Sequence, residues 1–292
     1  MCHAWLQKKL GFAVDQSMRV CHNYSKMQGK KQPGARKDSM LQITSRSNSY
    51  VKLVVSLKGK KGRDEQSLFV VEGEKSIRSA LSAGGSVRFL AASSSYIEKN
   101  EAVWPETPLV MSDQVFKSIS LHKAPQGILG VFETRSCPIG GVFGESRILY
   151  LDGVQQPENV GALARSAVCF GFGAVVASWD SADFYSPKAV GASAASLFSI
   201  KLAREGYQEP VLGKLMDEKY TLVGSDMDGQ TGFAHLAAMD KLVLVVGNEG
   251  QGMRLETRSL CAEIVAVKII GDCESLNVAV AGGILMHKLA GL

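Results

Sequence analysis

The chain has 292 residues, of which 46% are hydrophobic, and its 30 Gly and 8 Pro are typical of a globular α/β protein. No apolar run reaches the ~18 residues needed to cross a bilayer, so we expect no membrane partner. The formal net charge is +5, but residues 1–50 alone hold six Lys and three Arg against two Asp. The basic excess is therefore a terminal feature, and total charge is a poor indicator of nucleic-acid binding.

Residues 1–44 form a basic leader that is poor in acidic residues and contains several Ser. This composition is typical of a chloroplast or mitochondrial transit peptide. A disordered basic tail that helps to hold RNA would have the same composition, and the chain would then be cytoplasmic. The sequence leaves both interpretations open.

Residues 45–134 are predicted to form a first, smaller α/β domain. Short apolar runs, typical of strands, alternate there with segments whose apolar residues would fall on one face of a helix. Strands are expected at 68–71, 87–93, 108–112 and 127–133, with one helix ending near 84–85 and another spanning 113–120. Residues 135–146 are rich in Gly and contain a Pro, which predicts a linker.

Residues 147–292 are predicted to form a second domain with a mostly parallel sheet and helices on both of its faces. Apolar strands and helical patterns alternate through this segment. Strands are expected at 147–152, 174–178, 198–202, 220–225, 241–247 and 263–269. Helices are expected at 159–171, from Ser186 as N-cap, near 207–218, near 254–261 and at 275–290.

The cysteines and histidines predict neither disulfides nor a metal site. The six Cys are scattered without a C-x-x-C pair, which is typical of reduced thiols in an intracellular protein. The five His show no metal-ligand spacing. We therefore expect that the protein binds no metal.

The stretch "NVGALARSAVCFG" places Arg165 in an otherwise small and apolar helix. If that helix begins after Asn159 as its N-cap, Arg165 projects over an empty place beside Gly161, which has no side chain. Free N–H groups and the helix dipole at this end would favour a phosphate. The alternative is that Arg165 only reaches solvent and Asn159 only caps.

Two further stretches follow buried strands. In "LVLVVGNEGQGM", Glu249 lies among three glycines beyond a strand end, where ligands of parallel sheets bind, although a tight structural turn explains the stretch equally well. It matches neither a dinucleotide-binding nor a phosphate-binding glycine motif. In "VKIIGDCESLNVAVAGG", a helix is expected from Glu274 or Ser275, which places Asn277 in its first turn and outside the core.

Taken together in order and spacing, the three stretches resemble the three motifs of the SpoU (TrmH) family of RNA 2′-O-ribose methyltransferases, within the SPOUT superfamily. The upstream "SLKGKKGRDEQSLFVVEGEKSIRSAL" is similar to the RNA-binding domain of many members, which resembles a small ribosomal protein. The resemblance covers about residues 48–292. It implies that 45–134 bind the RNA substrate and that 147–292 form the methyltransferase domain.

The resemblance implies a deep trefoil knot in the C-terminal sheet and a homodimer with its active site near the subunit interface. It also implies S-adenosylmethionine as cofactor, held mostly through backbone contacts at Gly247, Val267 and Leu276. The functional side chains of the family fall on Asn159, Arg165, Glu249, Ser275 and Asn277. In the first domain, four basic residues are predicted to contact RNA phosphates, with a solvated loop as the alternative: Lys58, Lys60, Lys61 and Arg63.

Several positions depart from the family pattern. The family usually has Pro at Lys268, Ser at Ala279 and Asp at Gln156. A common Gly-Ala pair is Ala195-Ser196 here, and an Arg often found slightly upstream is Gly191. These changes affect the expected loop conformations and the contacts with RNA, but all five functional side chains are present.

A ribose 2′-hydroxyl must lose its proton as it attacks a methyl group, yet Arg165 is a poor base because its pKa is ~12 or higher. We therefore expect Arg165 to hold the phosphate and the developing oxyanion while the phosphate helps to accept the proton. Ribosomal RNA is the expected substrate, with transfer RNA as the runner-up. The alternatives are a non-catalytic RNA-binding assembly factor and a nicotinamide-dependent oxidoreductase, which the lack of a Gly-rich fingerprint argues against.

Overall fold

The computed structural model describes residues 42–207 and 210–291, so that residues 1–41, which hold nearly all of the basic leader, lie outside it. In the described part, the helices are α1 (Ser49–Ser56), α2 (Lys60–Gln66), α3 (Glu74–Ser82), α4 (Ser94–Lys99), α5 (Asp113–Ile119), α6 (Pro157–Cys169), α7 (Pro187–Ser193), α8 (Val211–Asp217), α9 (Leu255–Leu260) and α10 (Val278–Leu289). The strands are β1 (Leu68–Glu72), β2 (Val87–Ser93), β3 (Leu109–Met111), β4 (Ile128–Glu133), β5 (Arg147–Asp152), β6 (Ala174–Ala177), β7 (Lys201–Arg204), β8 (Thr221–Gln230), β9 (Leu242–Gly247) and β10 (Glu263–Val265).

The first sheet has the strand order β1-β4-β2-β3 and is mixed. Strand β4 runs antiparallel to both β1 and β2, whereas β2 and β3 are parallel. All five residues of β1 are buried, because apolar side chains cover both faces of the sheet. The four predicted strands of this domain are confirmed.

The second sheet has six strands in the order β10-β8-β9-β5-β6-β7, and every neighbouring pair is parallel. This confirms the parallel sheet predicted from the alternation of strands and helices. The two central strands, β5 and β9, are buried almost throughout, as the unbroken apolar run in β9 requires. Their last residues, Asp152 and Gly247, pair directly, so the loops that follow them start side by side.

Three strands differ from the predictions in position or length, and one of them, β8, continues to Gln230, beyond its predicted end at residue 225. The strand predicted at 198–202 begins only at Lys201, and Ser196–Phe198 form a 3-10 turn, because the Phe198 ring packs against Phe69 and Phe132 of the first domain. Strand β10 ends at Val265, where its register on β8 shifts, and it does not continue to residue 269.

Both predicted starts of the motif helices are wrong. Helix α6 begins at Pro157, since Pro is favoured in the first helical turn, and Asn159 is therefore a residue of that turn and not the N-cap. Helix α10 begins only at Val278, and Asn277 itself is the N-cap, because its side-chain oxygen accepts hydrogen bonds from two backbone N–H groups of the first turn. The prediction that Asn277 stands at a helix entrance, outside the core, is confirmed.

Aromatic packing and an ion pair join the two sheets. Phe198 lies 5.6 Å from Phe69 and 5.3 Å from Phe132, measured between ring centroids. The buried Arg63 guanidinium donates to the Asp183 carboxylate at 2.8 Å. The first domain is thus packed against the face of the second sheet that α7 and the 3-10 turn cover.

Candidate active site

A cavity of about 820 Å³ lies at the carboxyl edge of the second sheet, beside the ends of β8 and β9. Two loops supply most of its wall: the loop 247–252 after β9 and the loop 266–277 that leads into α10. We call these the β9 loop and the α10 loop. The volume falls within the range of small-molecule sites, which parallel sheets place at this edge.

The Glu249 carboxylate in the β9 loop connects that loop to the start of α6. Its two oxygens accept hydrogen bonds from the backbone N–H groups of Gln155, at 3.1 Å, and Gln156, at 3.0 Å. A third bond, of 3.0 Å, comes from the Asn159 side-chain amide. Free N–H groups at a helix entrance need acceptors, and Glu249 supplies one for two of them.

These contacts set the ionisation of Glu249. Burial alone raises the pKa of this carboxyl, but the hydrogen bonds from Asn159 and from the backbone N–H groups outweigh burial, so that the pKa lies below its ordinary value. Glu249 is therefore a carboxylate at neutral pH. A carboxylate with these bonds is a weak proton acceptor, and its main effect is to hold the loops in place.

Asn159 extends this connection to the third motif. Its side-chain oxygen accepts a 3.0 Å hydrogen bond from the Asn277 amide, while Asn277 caps α10 with its own oxygen. Asn159 is buried, so these bonds also satisfy its polar atoms. Glu249, Asn159 and Asn277 thus form a hydrogen-bonded chain across three motifs that lie far apart in sequence, which we call the motif bridge.

The β9 loop is further shaped by Asn248, a residue that the sequence analysis missed. Its side-chain oxygen accepts from the N–H groups of Gly250 and Gln251, and its amide donates to the Gly153 carbonyl at 2.8 Å. The signal was available, since an Asn that begins a glycine-rich turn commonly bonds the backbone two residues on.

Gly247 lies where the β9 loop folds back on itself. A Cβ atom at this position would lie 2.2 Å from the Met253 backbone nitrogen, so any side chain here would deform the loop. Gly247 also lines the cavity, as do Val267 and Leu276. The three residues predicted to hold the cofactor are therefore brought together around one cavity.

The α10 loop is more open than the β9 loop. Ser275 and Leu276 line the cavity and are exposed, and the neighbouring Ile270 is 91% exposed. In the described part of the chain, this loop has one backbone bond at its start, from the Ala266 N–H to the Gln230 carbonyl, and a thiol contact near its end.

The structure does not place Arg165 on the cavity wall. It is exposed on α6, six residues or about 9 Å along the helix from Asn159. Within residues 42–207 and 210–291, its guanidinium has no hydrogen bond or ion pair. The expectation that the space beside Gly161 is empty was wrong. A Cβ atom at Gly161 would lie 2.2 Å from the Ala189 carbonyl oxygen, because α7 packs closely on α6.

The four basic residues predicted to contact RNA occupy different environments. Lys60 and Lys61 are exposed and pair with acidic residues one turn later on α2, Asp64 and Glu65. Lys58 donates to the Ser118 and Ser120 carbonyls at the end of α5. Arg63 does not fit the prediction, because it is buried and its donors bond Leu57, Lys58 and Asp183.

Arg254 is a second residue that the sequence analysis missed. Its guanidinium lies 2.8 Å from the buried Asp152 carboxylate and 2.9 Å from Asp180. Its backbone N–H also donates to Asp152. These contacts fix the end of the β9 loop to β5 and to the loop after β6.

Nothing in the described residues suggests a metal centre or a membrane segment. There, no cluster of three or more His, Cys, Asp or Glu side chains is arranged to hold a metal ion. None of the helices in the same part of the chain has the length and apolarity that a bilayer crossing requires.

Fold and cavity together define an α/β protein with a small-molecule site at the carboxyl edge of its sheet, as in a cofactor-dependent transferase. Residues 146–287 match the SpoU rRNA Methylase family, and residues 48–130 match the MRM3-like substrate binding domain. The chain is 30% identical to the 23S rRNA (guanosine(2553)-2′-O)-methyltransferase RlmP of Bacillus subtilis over 86% of its own length and 100% of that protein. The chain belongs to the SpoU rRNA methylase family.

Two further comparisons agree with this membership. The chain is 30% identical to the 23S rRNA (guanosine-2′-O-)-methyltransferase RlmB of Bordetella pertussis, over 56% of this chain and 69% of that protein. It also resembles the crystal structure of an AdoMet-bound rRNA methyltransferase from Sinorhizobium meliloti. That similarity has a TM-score of 0.71 at 26% identity and covers 85% of this chain and 96% of the other.

Proposed function

We propose that this chain is an S-adenosylmethionine-dependent methyltransferase that methylates the ribose 2′-hydroxyl of a guanosine in ribosomal RNA. The motif bridge is the observation that carries the proposal, because it joins the three family motifs beside one ligand-sized cavity. Guanosine and ribosomal RNA are supported by the names of the RlmP and RlmB relatives.

The residues of the cavity fit S-adenosylmethionine, which supplies an electrophilic methyl group when bound. Val267 and Leu276 offer apolar surface for an adenine ring, and the glycine-rich backbone of the β9 loop lines the cavity beside them. Ser225 and Thr231 add hydroxyl groups on the β8 side. A cofactor site combines apolar surface with polar groups that fix the orientation of the ligand, and this cavity supplies both.

We assign the roles of the side chains from these positions. Glu249, Asn159 and Asn277 position the loops that form the cavity wall. Arg165, exposed and unbonded within the described residues, holds the RNA phosphate and the oxygen that develops negative charge. The phosphate helps to accept the 2′-hydroxyl proton, and Ser275 contacts the ribose or Arg165.

Methyl transfer to RNA transcripts tests this function. Purified protein, labelled S-adenosylmethionine and unmodified large-subunit rRNA should yield methylated RNA, and ribose-methylation mapping should locate one guanosine. A transfer RNA pool serves as the competing substrate. Transfer to tRNA alone would overturn the rRNA assignment, and S-adenosylmethionine binding without transfer to either RNA would favour a non-catalytic assembly factor.

We infer that the C-terminal segment forms the trefoil knot of the SPOUT superfamily. The inference is supported by the strand order, in which β8 and β9 lie between β10 and β5, and by α10 packing on α6 after the α10 loop passes the β9 loop. Pulling the two ends of the chain apart tests the knot. A knotted chain should unfold to less than its full contour length, because the knot tightens, whereas extension to the full contour length would contradict the knot.

We propose that the protein forms a homodimer through α6 and α10. Val280 is 51% exposed and Ile284 is also exposed, so α10, which packs on α6, presents an exposed apolar stripe. A Val280→Glu variant should sediment as a monomer if this stripe is the interface. A dimer that survives this change would place the interface elsewhere.

We also propose an RNA-binding domain at 45–134, a linker at 135–146 and a methyltransferase domain at 147–292.

We propose that the leader, residues 1–44, targets the protein to a chloroplast or mitochondrion. This proposal rests only on the basic, acid-poor composition of that segment. Fusion of residues 1–44 to a fluorescent protein tests it, and a diffuse cytoplasmic signal would contradict it.

A further inference from the structure

Two aromatic side chains are exposed side by side on the carboxyl edge of the second sheet, away from the cavity. Trp179 follows β6 and is 47% exposed, and Tyr207 follows β7 and is 75% exposed. Their ring centroids lie 4.9 Å apart with an interplanar angle of 87°. We call them the aromatic pair. Contiguous exposed apolar surface of this kind can mark an interaction site.

The backbone beneath the aromatic pair is held firmly. The Arg204 guanidinium donates to the carbonyls of Ser178, Trp179, Ser181 and Ala182, at 2.6 to 3.4 Å. The Ser178 and Ser181 hydroxyls accept from the N–H groups of Gly153 and Val154, which follow β5. The indole ring therefore stands on a preorganised loop, which lowers the entropy cost of binding a partner.

The same loop is connected to the candidate active site. Arg254, at the end of the β9 loop, contacts both Asp180 beside Trp179 and Asp152 at the end of β5. Strand β6 lies two strands from β9 and β7 lies three, so the aromatic pair is about 10–14 Å along the edge from the end of β9. A ligand larger than the cofactor could reach both places at once.

The charged groups around the aromatic pair are engaged with one another or with the backbone. Asp180 shares Arg254 with Asp152, and Asp183 is paired with Arg63 at 2.8 Å. The Arg204 guanidinium donates to backbone carbonyls, so the exposed rings themselves are the surface left for a ligand. Proteins hold unpaired bases by stacking them on exposed aromatic rings of this kind.

We propose that Trp179 and Tyr207 form a stacking platform for an unpaired nucleobase that flanks the methylated nucleotide. This inference rests on the proposed function, because it takes RNA as the substrate. Stacking selects unpaired bases without reading their identity. The platform therefore fixes the register of the RNA along the sheet edge and leaves the choice of the reacting nucleotide to the cavity.

Intrinsic fluorescence of the full chain tests direct contact. The chain has three Trp, and a base stacked on Trp179 should quench part of their emission. Oligoadenylate should quench the wild type and Trp104→Phe, but the quenching should be lost in Trp179→Phe. A blunt RNA duplex of equal length should quench little, because its bases are already stacked.

Affinity measurements give the matched comparison. Trp179→Ala and Tyr207→Ala should each weaken oligoadenylate binding about 5–100-fold, and Trp179→Phe should weaken it less because a ring remains. Met216→Ala is the control, since Met216 is similarly exposed but lies on α8, before β8 and at the opposite edge of the sheet. S-adenosylmethionine affinity should stay the same in all four variants.

The outcomes separate this inference from the proposed function. If the wild type methylates rRNA but Trp179→Ala and Tyr207→Ala bind oligoadenylate like the wild type, the platform is overturned and the function stands. If the wild type transfers no methyl group to rRNA, the function fails, while the quenching and affinity results still decide whether the aromatic pair binds unpaired bases.

Discussion

The two walls of the cavity are built differently. The β9 loop is bonded to its surroundings through Glu249 and Asn248, and Arg254 fixes its end. The α10 loop is largely exposed and has few hydrogen bonds in the described part of the chain before Asn277. A wall bonded in this way is preformed, whereas an exposed loop with little bonding is free to order on a ligand. We conclude that the β9 wall sets the shape of the site and that the α10 wall closes it.

The difference also separates two kinds of functional residue. Members of the motif bridge act on the loops, so changing them should alter stability together with function. Residues of the α10 wall before Asn277 and of the exposed α6 face act on ligands, so changing them should alter binding or rate with little effect on stability.

Arg165 lies on neither wall and gives the largest expected effect. Arg165→Ala should lower the single-turnover rate of methyl transfer at saturating RNA by at least ~100-fold, since one transition-state stabiliser is lost. Arg165→Lys should rescue little, because an ammonium cannot reproduce the two-pronged guanidinium grip. Cofactor affinity should remain unaltered, and Arg88→Ala, an exposed arginine of the first domain, is the control. A normal rate in Arg165→Ala would remove it from the mechanism.

Asn159→Ala tests the fixed wall directly. It removes one of the three hydrogen bonds to the Glu249 carboxylate and the acceptor of the Asn277 amide, so we expect unfolding to become easier by about 1.5–3 kcal/mol. Urea unfolding measures this loss, and a calorimetric titration should show weaker cofactor binding in the same variant. Asn100→Ala removes one side-chain hydrogen bond of an exposed residue, to the Tyr96 carbonyl, and should lower the free energy of unfolding much less. Equal stabilities of the two variants would mean that the motif bridge is dispensable.

The pH dependence of stability tests the ionised state of Glu249. Its pKa is lower in the folded protein than in the unfolded chain, so its contribution is present above the unfolded pKa of about 4.3 and is lost as the pH falls through the folded pKa. The stability difference between the wild type and Glu249→Gln should therefore shrink on acidification from about pH 7 to pH 3. Glu256→Gln, on exposed α9, is the matched control. A difference that grew with acid would contradict the assignment.

Leu276→Ala tests the open wall. Leu276 is 37% exposed before any ligand binds, so its truncation should hardly change the free energy of unfolding. Cofactor affinity should fall about fivefold, the effect of ~1 kcal/mol of lost apolar contact. Leu260→Ala, with 40% exposure on α9, should change neither quantity. A large stability loss in Leu276→Ala would show that this wall is packed before the ligand arrives.

The smallest effect concerns a departure from the family pattern. Ala195 stands where the family often has Gly, and its φ of +69° is left-handed, which costs a residue with a Cβ about 1–2 kcal/mol. Ala195→Gly removes that strain. The added conformational entropy of Gly in the unfolded chain lowers stability by ~0.4–1 kcal/mol, so a slight net stabilisation is expected. Thermal unfolding measures it. Marked destabilisation would mean that the buried methyl group outweighs the strain.

The sequence predicted the parallel sheet and the residues around the cavity, because apolar periodicity and motif order are local signals. It did not predict that Asn159 bonds both Glu249 and Asn277, since that contact joins residues 90 and 118 positions apart. It misplaced the strand at 198–202 because the packing of Phe198 against another domain overrides local preference. The burial of Arg63 has the same kind of cause, as its partner Asp183 is 120 residues away.

Amide hydrogen exchange with and without S-adenosylmethionine tests the two-wall account most directly. The account predicts slow exchange in the β9 loop both before and after the cofactor is added, because its hydrogen bonds already exist. The α10 loop should exchange fast without the cofactor and become protected with it. Equal protection of both loops before binding, or a gain confined to the β9 loop, would contradict the account.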